Sequence, residues 1–218
     1  MIDLSKVKEV SKKIGIKVEI SKREENLIKA KDYMTELIRS EIIILRPLLR
    51  VATLEKIFEQ DRMTVNKSIE RLIKAGVINR LMKNVYVVRG QEENLEQVAN
   101  LIYKPSYLSF ESVLYKHGVV NQPPFGITFA TTRRSKKIEL GKVECWYSQI
   151  KVDLWWGFYE KNGFLEAEVE KAIVDMLYLR ERGKRRFETD EWYWSGVDRK
   201  KLKTFISRAG LKDRKLTE

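Results

Sequence analysis

The sequence predicts an α+β chain of two modest domains. Apolar residues recur at three- and four-residue spacing in several stretches, which is the signature of helices with one buried face. Short apolar runs bounded by glycine and turn residues stand between them and read as strands. A polar stretch, Gly90-Gln91-Glu92-Glu93, interrupts both patterns, and 218 residues are more than one small domain needs.

Residues 1–47 form an N-terminal extension. Ile16, Val18 and Ile20 alternate with charged residues as in a strand, and Ser21 with Glu24 makes a capping box. The helix expected behind it carries Leu27, Ala30, Met34, Leu37 and Ile38 inward. Residues 48–90 form the clearest unit. Thr53 is placed to cap a short helix running to residue 60, with Leu54, Ile57 and Phe58 inward. Asp61-Arg62-Met63 reads as a tight turn. Thr64 is placed to cap a second helix over residues 65–75, and Gly76 to end it. Residues 77–81 and 85–88 then read as a hairpin around a Met82-Lys83-Asn84 turn. Helix, turn, helix and β-wing in this order predict a winged helix-turn-helix.

Residues 91–183 read as a mixed α/β domain. Helices are expected over 94–103, from a Ser109 cap to Gly118, and over 166–179, where Val169, Ala172, Ile173, Met176 and Leu177 share one side. Strands are expected over 127–132 and 143–150. Residues 184–218 form a basic C-terminal extension with an aromatic patch, Trp192-Tyr193-Trp194, and a last helix over about 198–208.

Composition narrows the function classes. With 43% hydrophobic and 34% charged residues the chain is globular rather than disordered. Its longest apolar run, Ile42 to Leu45, stops at Arg46-Pro47, far short of the roughly 20 residues a membrane helix needs. The N-terminus shows no signal-peptide pattern. Cys145 and His117 are each the sole residue of their type, which excludes multi-thiolate and paired-histidine metal sites and suits a reducing cytoplasm. A net charge of +12 points to nucleic acid, an anionic membrane or an acidic protein, and only the placement of charge can choose among them.

That placement favours DNA. On a helix over residues 65–75, Val65, Ile69, Leu72 and Ile73 gather on the core side. Lys67, Arg71 and Lys74 fall opposite them at i, i+4 and i+7, flanked by Asn66 and Glu70. Arg71 can hold guanine and Asn66 adenine by bidentate contacts, while Lys67 and Lys74 suit phosphates. The wing adds Arg80, Lys83 and Asn84 for backbone or minor-groove contact. The DNA-binding set is therefore Thr64, Asn66, Lys67, Arg71, Lys74, Arg80, Lys83 and Asn84. Without a following wing, a basic helix face is an ordinary solvated surface.

Three blocks carry a resemblance. They are the run from Tyr103-Lys104-Pro105 to Ser109-Phe110-Glu111-Ser112, then Thr128-Phe129-Ala130-Thr131-Thr132-Arg133-Arg134, then Glu170-Lys171-Ala172-Ile173-Val174-Asp175-Met176-Leu177-Tyr178. In this order and spacing residues 95–179 resemble the AbiEi antitoxin family of type IV toxin–antitoxin systems, and with the unit in front the likeness covers about residues 48–179. It implies a transcriptional repressor of its own operon that opposes a nucleotidyltransferase-like toxin. The implied partners are double-stranded operator DNA and a cognate toxin, with no membrane; a homodimer is compatible with the sequence. The chain departs from the family in residues 1–47, in its basic C-terminal extension, and in having Val169 where the family often has proline.

No enzyme pattern emerges, and no cofactor, metal or catalytic residue is expected. A magnesium nuclease would have to recruit Asp153, Glu168, Glu170 and Lys171, yet Glu170-Lys171 falls mid-helix, where ordinary solvated charge is the expectation. Glu170 and Asp175 are expected to hold Arg133 or Arg134. His117 reads as a helix-end residue and Cys145 as a buried structural thiol. The alternatives to a DNA-binding regulator are a protein-interaction module without DNA specificity and, third, a metal-dependent nuclease.

Overall fold

The computed structural model describes residues 48–88 and 95–211, with Asp32 as a helical position ahead of them. The strand at 16–20, the capping box at Ser21 and Glu24, the helix from 27 to 38 and the polar stretch at 90–93 are expectations outside the described residues. The architecture is α+β: among the described residues there are six α-helices and two sheets. They divide into two compact units. Residues 48–80 and 84–88 belong to one, residues 81–83 and 95–211 to the other.

The first unit opens with β1 (Leu48–Arg50) and α1 (Val51–Phe58). Then come α2 (Arg62–Lys74), β2 (Ile78–Met82) and β3 (Val85–Val88). The sheet order is β1-β3-β2, with β1 antiparallel to β3 and Leu49 opposite Tyr86. Because β1 runs straight into α1, that helix starts at Val51 with Arg50 in the capping position, and Thr53 caps nothing. A three-residue strand has no period of its own to betray it; its pairing with β3 creates it.

The start of α2 also lies earlier than its spacing suggests. Asp61, not Thr64, is the N-cap, accepting from the amides of Met63 and Thr64 at 2.8 and 3.0 Å. The expected tight turn is thus the first turn of the helix. Gly76, at φ +69°, ends it: its amide donates to Ile73 and that of Val77 to Leu72, so two terminal carbonyls are satisfied. Leu49, Val51, Leu54, Val65, Ile69, Leu72, Ile78 and Tyr86 close around one core, against which Ala75 and Val77 pack. Each of the fully buried aliphatic side chains contributes about 1.5–3 kcal/mol. Ile73, expected inside, is 38% exposed, because the helix is rotated to seat Val65, Ile69 and Leu72.

The second unit contains α3 (Leu95–Ile102), β4 (Ser106–Leu108), α4 (Glu111–Lys116), β5 (Ile127–Thr131), β6 (Lys136–Leu140) and β7 (Val143–Gln149). It continues through a 3-10 turn (Val152–Leu154) to β8 (Phe158–Lys161), β9 (Phe164–Ala167), α5 (Val169–Glu181) and α6 (Arg199–Ala209). Its sheet runs β6-β7-β5-β4-β9-β8. The pairs β5–β7 and β4–β9 are parallel; β4–β5, β6–β7 and β8–β9 are antiparallel. Strands β4, β6, β8 and β9 are not legible as sequence patterns. The helix expected from residue 166 begins at Val169, and Glu166 lies in β9.

Helix α5 is the centre of this unit. Every residue from Val169 to Leu179 is buried, so the expected amphipathic helix with one inner side is enclosed all round. Helix α6 packs on it and buries Leu202 and Ile206, capped by Asp198 through the amides of Lys200 and Lys201. Residues 184–211, read from sequence as a basic extension, are therefore built into the second unit. Trp192 is buried against Phe187 at a centroid distance of 5.3 Å, while Tyr193 beside it is exposed.

Candidate nucleic-acid interface

The geometry of α2 follows from its buried side. With Val65, Ile69 and Leu72 fixed in the core, Lys67, Glu70, Arg71 and Lys74 are exposed and Asn66 is half-buried. Among the described residues, no ion pair engages Lys67, Arg71, Lys74, Arg80 or Lys83; Arg62 instead faces Glu55 at 3.9 Å. A cation without a carboxylate partner keeps its donors for an external anion.

Thr64 stands apart from this set. Its hydroxyl donates to the Asp61 carboxylate at 2.6 Å, and its amide is held by the same carboxylate. The Thr64 hydroxyl and amide hold the Asp61 carboxyl below the usual carboxylate range. Arg80 and Lys83 are exposed on β2 and at the hairpin turn. Asn84 turns the hairpin at φ +62°, a conformation asparagine tolerates, and its carbonyl accepts from the Val51 amide at 3.3 Å. The structure thus gathers Asn66, Lys67, Arg71 and Lys74 on one helix face, and Arg80, Lys83 and Asn84 on the hairpin.

Two apolar members of the outer face escaped the sequence reading. Met63 is 69% exposed and precedes Lys67, Glu70 and Lys74 by four, seven and eleven residues, so all four share a stripe. Placing the helix start at Asp61 brings Met63 into view; the Asp-x-x-Thr spacing was the available signal. Ile73 is the second, at one edge of that face.

The second unit holds charge of a different kind. Glu170 and Lys171, expected as solvated charges, are buried, and so is Asp175, expected with Glu170 to reach Arg133 or Arg134. Lys171 pairs with Asp175 one turn along α5 and donates to the Tyr107 hydroxyl at 2.8 Å. Asp175 also accepts from the hydroxyls of Tyr107 and Ser109, both at 2.8 Å. Ser109 therefore ties β4 to α5 and does not cap α4, whose N-cap is Phe110. Burial pushes the Lys171 ammonium below its ordinary range, opposed by Asp175. Burial, with the Asp175 charge added, pushes the Tyr107 hydroxyl far up. Each polar group of this set spends its hydrogen bonds on the others, which fits a structural role.

The other acids have local partners too. Glu170 accepts from the Asp198 amide at 2.9 Å, and Lys201 approaches Glu168 and Glu170 at 3.0 and 3.6 Å. The expected link from Glu170 or Asp175 to Arg133 or Arg134 is not made: Arg133 stacks on Tyr103 and donates to the Lys104 carbonyl. Glu166, with no exposed side-chain area, accepts from Lys116 at 2.8 Å and Lys161 at 3.2 Å. Among the described residues, no three His, Cys, Asp or Glu side chains converge as a metal site would require. His117 is the C-cap residue of α4, and burial pushes the Cys145 thiol up to about 12. No helix among the described residues is long and apolar enough to cross a membrane. Compared with known proteins, the chain matches no family model and no curated protein.

Proposed function

We propose that this chain is a DNA-binding transcriptional regulator whose first unit is a winged helix-turn-helix. The observation that carries the reading is the outer face of α2. Lys67, Arg71 and Lys74 are exposed there, free of ion pairs among the described residues, with Asn66 beside them, on a helix whose opposite side is locked into a core. A helix so anchored can enter a major groove with its side chains preset, Arg71 and Asn66 facing base edges and the lysines facing phosphates. The sheet order β1-β3-β2 behind it, with Arg80 and Lys83 on the hairpin, supports the same reading. The finer proposal, carried by the AbiEi resemblance of residues 95–179, is an antitoxin that represses its own operon and opposes a nucleotidyltransferase-like toxin. Titration of the protein against its own upstream DNA at several salt concentrations tests the DNA reading. Six to eight phosphate contacts give a slope of log affinity on log salt of roughly −5 to −7. Binding absent at low salt, or indifferent to salt, rejects it.

A second reading has one observation in its favour. Met63 and Ile73 put exposed apolar surface on the outer face of α2, as a protein-contact helix would. Under that reading Met63→Ser abolishes binding to a protein partner and the chain shows no preference for operator over random DNA.

A further inference from the structure

The second unit carries an acidic groove on a chain of net charge +12. It is an open cavity of about 920 Å³ between α4, the loop after it and the segment leading to Tyr193. Glu111, Glu188, Asp190 and Glu191 line it against a single lining cation, Arg186. Glu188, Asp190 and Glu191 are exposed, and among the described residues no ion pair engages them. Glu111 lies deeper. Arg185 binds one of its carboxylate oxygens, and the other, Oε2, is buried without a hydrogen-bond partner among the described residues.

The rest of the groove is mostly apolar, with Asn121 and Gln122 among its lining residues. Phe125, among the lining residues, is 90% exposed. The two walls are tied together: the Tyr193 amide donates to the Val119 carbonyl at 2.8 Å, and Asn121 donates to the Tyr193 hydroxyl at 3.1 Å. A preset groove loses little entropy on filling.

We propose that this groove docks a basic peptide segment of a partner protein, its Arg or Lys side chains pairing with Glu188, Asp190 and Glu191 and an apolar neighbour covering Phe125. The charge balance chooses the partner. A basic segment is repelled by most of this chain and attracted here, which gives the site its selectivity. A small polycation would satisfy the carboxylates but leave Phe125 uncovered. The inference is independent of the DNA reading, since it uses residues of the second unit alone.

The test is selection of a random dodecapeptide library on the full-length protein, followed by fluorescence anisotropy with the enriched peptides. Charge alone makes a +12 chain enrich acidic peptides. Docking at the groove instead enriches peptides with Arg or Lys next to an aromatic or aliphatic residue. These lose at least ten-fold in affinity to Phe125→Ala and to the combined Glu188→Gln, Asp190→Asn, Glu191→Gln variant, both changed only at exposed positions. No enrichment, acidic consensus peptides, or unchanged affinity for the two variants overturns the proposal. So does displacement of an enriched peptide by spermine at equal concentration, which marks a small-polycation site. A dimer in sedimentation velocity that Phe125→Ala dissociates also overturns it, because a second copy then fills the groove.

Discussion

Lys171 and Asp175, one turn apart in α5, form an ion pair in which neither side chain has any exposed area. Tyr107 and Ser109 of the β4 segment complete its hydrogen bonds, and the rings of Tyr107 and Trp156 face the ammonium at 5.3 and 5.2 Å. Breaking such a pair from one side leaves a charge in the core. Lys171→Met should cost about 3–5 kcal/mol. In Lys171→Met with Asp175→Asn, a neutral amide oxygen still accepts from the two hydroxyls, so the double variant should lose less than Lys171→Met alone. Urea midpoints of the double variant and of both singles, Lys171→Met and Asp175→Asn, measure this; a double variant as unstable as the sum of the singles would show that the pair is not coupled.

Gly157 gives a test of the packing above that pair. At φ +74° it lies over Lys171, whose stem carbons would stand 3.0 Å from an added Cβ. Gly141 has a similar φ of +62° and open space around it. Gly141→Ala should therefore cost only the backbone strain, about 1–2 kcal/mol. Gly157→Ala should cost more than Gly141→Ala, and the difference, read from thermal or urea melts, reports how far Lys171 can yield. Equal losses would mean that the lysine moves freely.

Glu166 sets an acid limit. Burial, the largest influence, works to raise its pKa, but hydrogen bonds and charge from Lys116 and Lys161 outweigh it and hold the carboxyl below the usual range. A folded value below the unfolded one means stability that is present above the ordinary glutamate range and is lost as pH falls through the folded value. The lysine shows the opposite sign. Burial works to lower Lys116, yet bonds to Glu166 and Glu96 raise it, so its share is lost only as pH climbs through a value above the ordinary lysine range. Glu166→Gln should lose about 1.5–3 kcal/mol at neutral pH, as for a hydrogen bond to a charged group. It should also flatten the acid limb of a stability–pH curve. An unchanged acid limb would place the acid sensitivity elsewhere.

Under the proposed DNA-binding reading, the outer face of α2 should divide positioning from reading. If Arg71 holds a guanine edge, Arg71→Ala should cost roughly 1–3 kcal/mol of preference for operator over random DNA. Lys74→Ala should weaken both DNAs alike and reduce the salt slope by about 1. Competition binding with the two DNAs separates these outcomes. Equal weakening of both DNAs by Arg71→Ala would assign base reading to Asn66 instead.

Much of the first unit was legible because its signals are local. Val65, Ile69 and Leu72 repeat at helical spacing, Gly76 supplies the one left-handed residue that closes α2, and Asn84 turns the hairpin. From those positions alone the outward Lys67, Arg71 and Lys74 follow by geometry. The start of α2 was missed because Asp61 read as part of a tight turn and Thr64 as the cap. The helix uses both: one carboxylate accepts two amides while the threonine hydroxyl locks it.

The sequence by itself determined the α+β class, the basic balance of the chain, the buried face of α2 and the order of most helices. Only the tertiary structure decided the rest. Strand β1 exists through its pairing with β3, and β4 through its pairing with β5 and β9, because strands this short carry no readable period. Ile73 was turned outward by a core that seats three other residues of its helix. Lys171 read as solvated charge, and Asp175 as a partner of Arg133 or Arg134, because nothing in α5 announces that strands and α6 close around it. Their burial rests on partners from Tyr107 and Ser109, more than 60 residues away, and such pairings are set when distant segments meet, not by any local pattern.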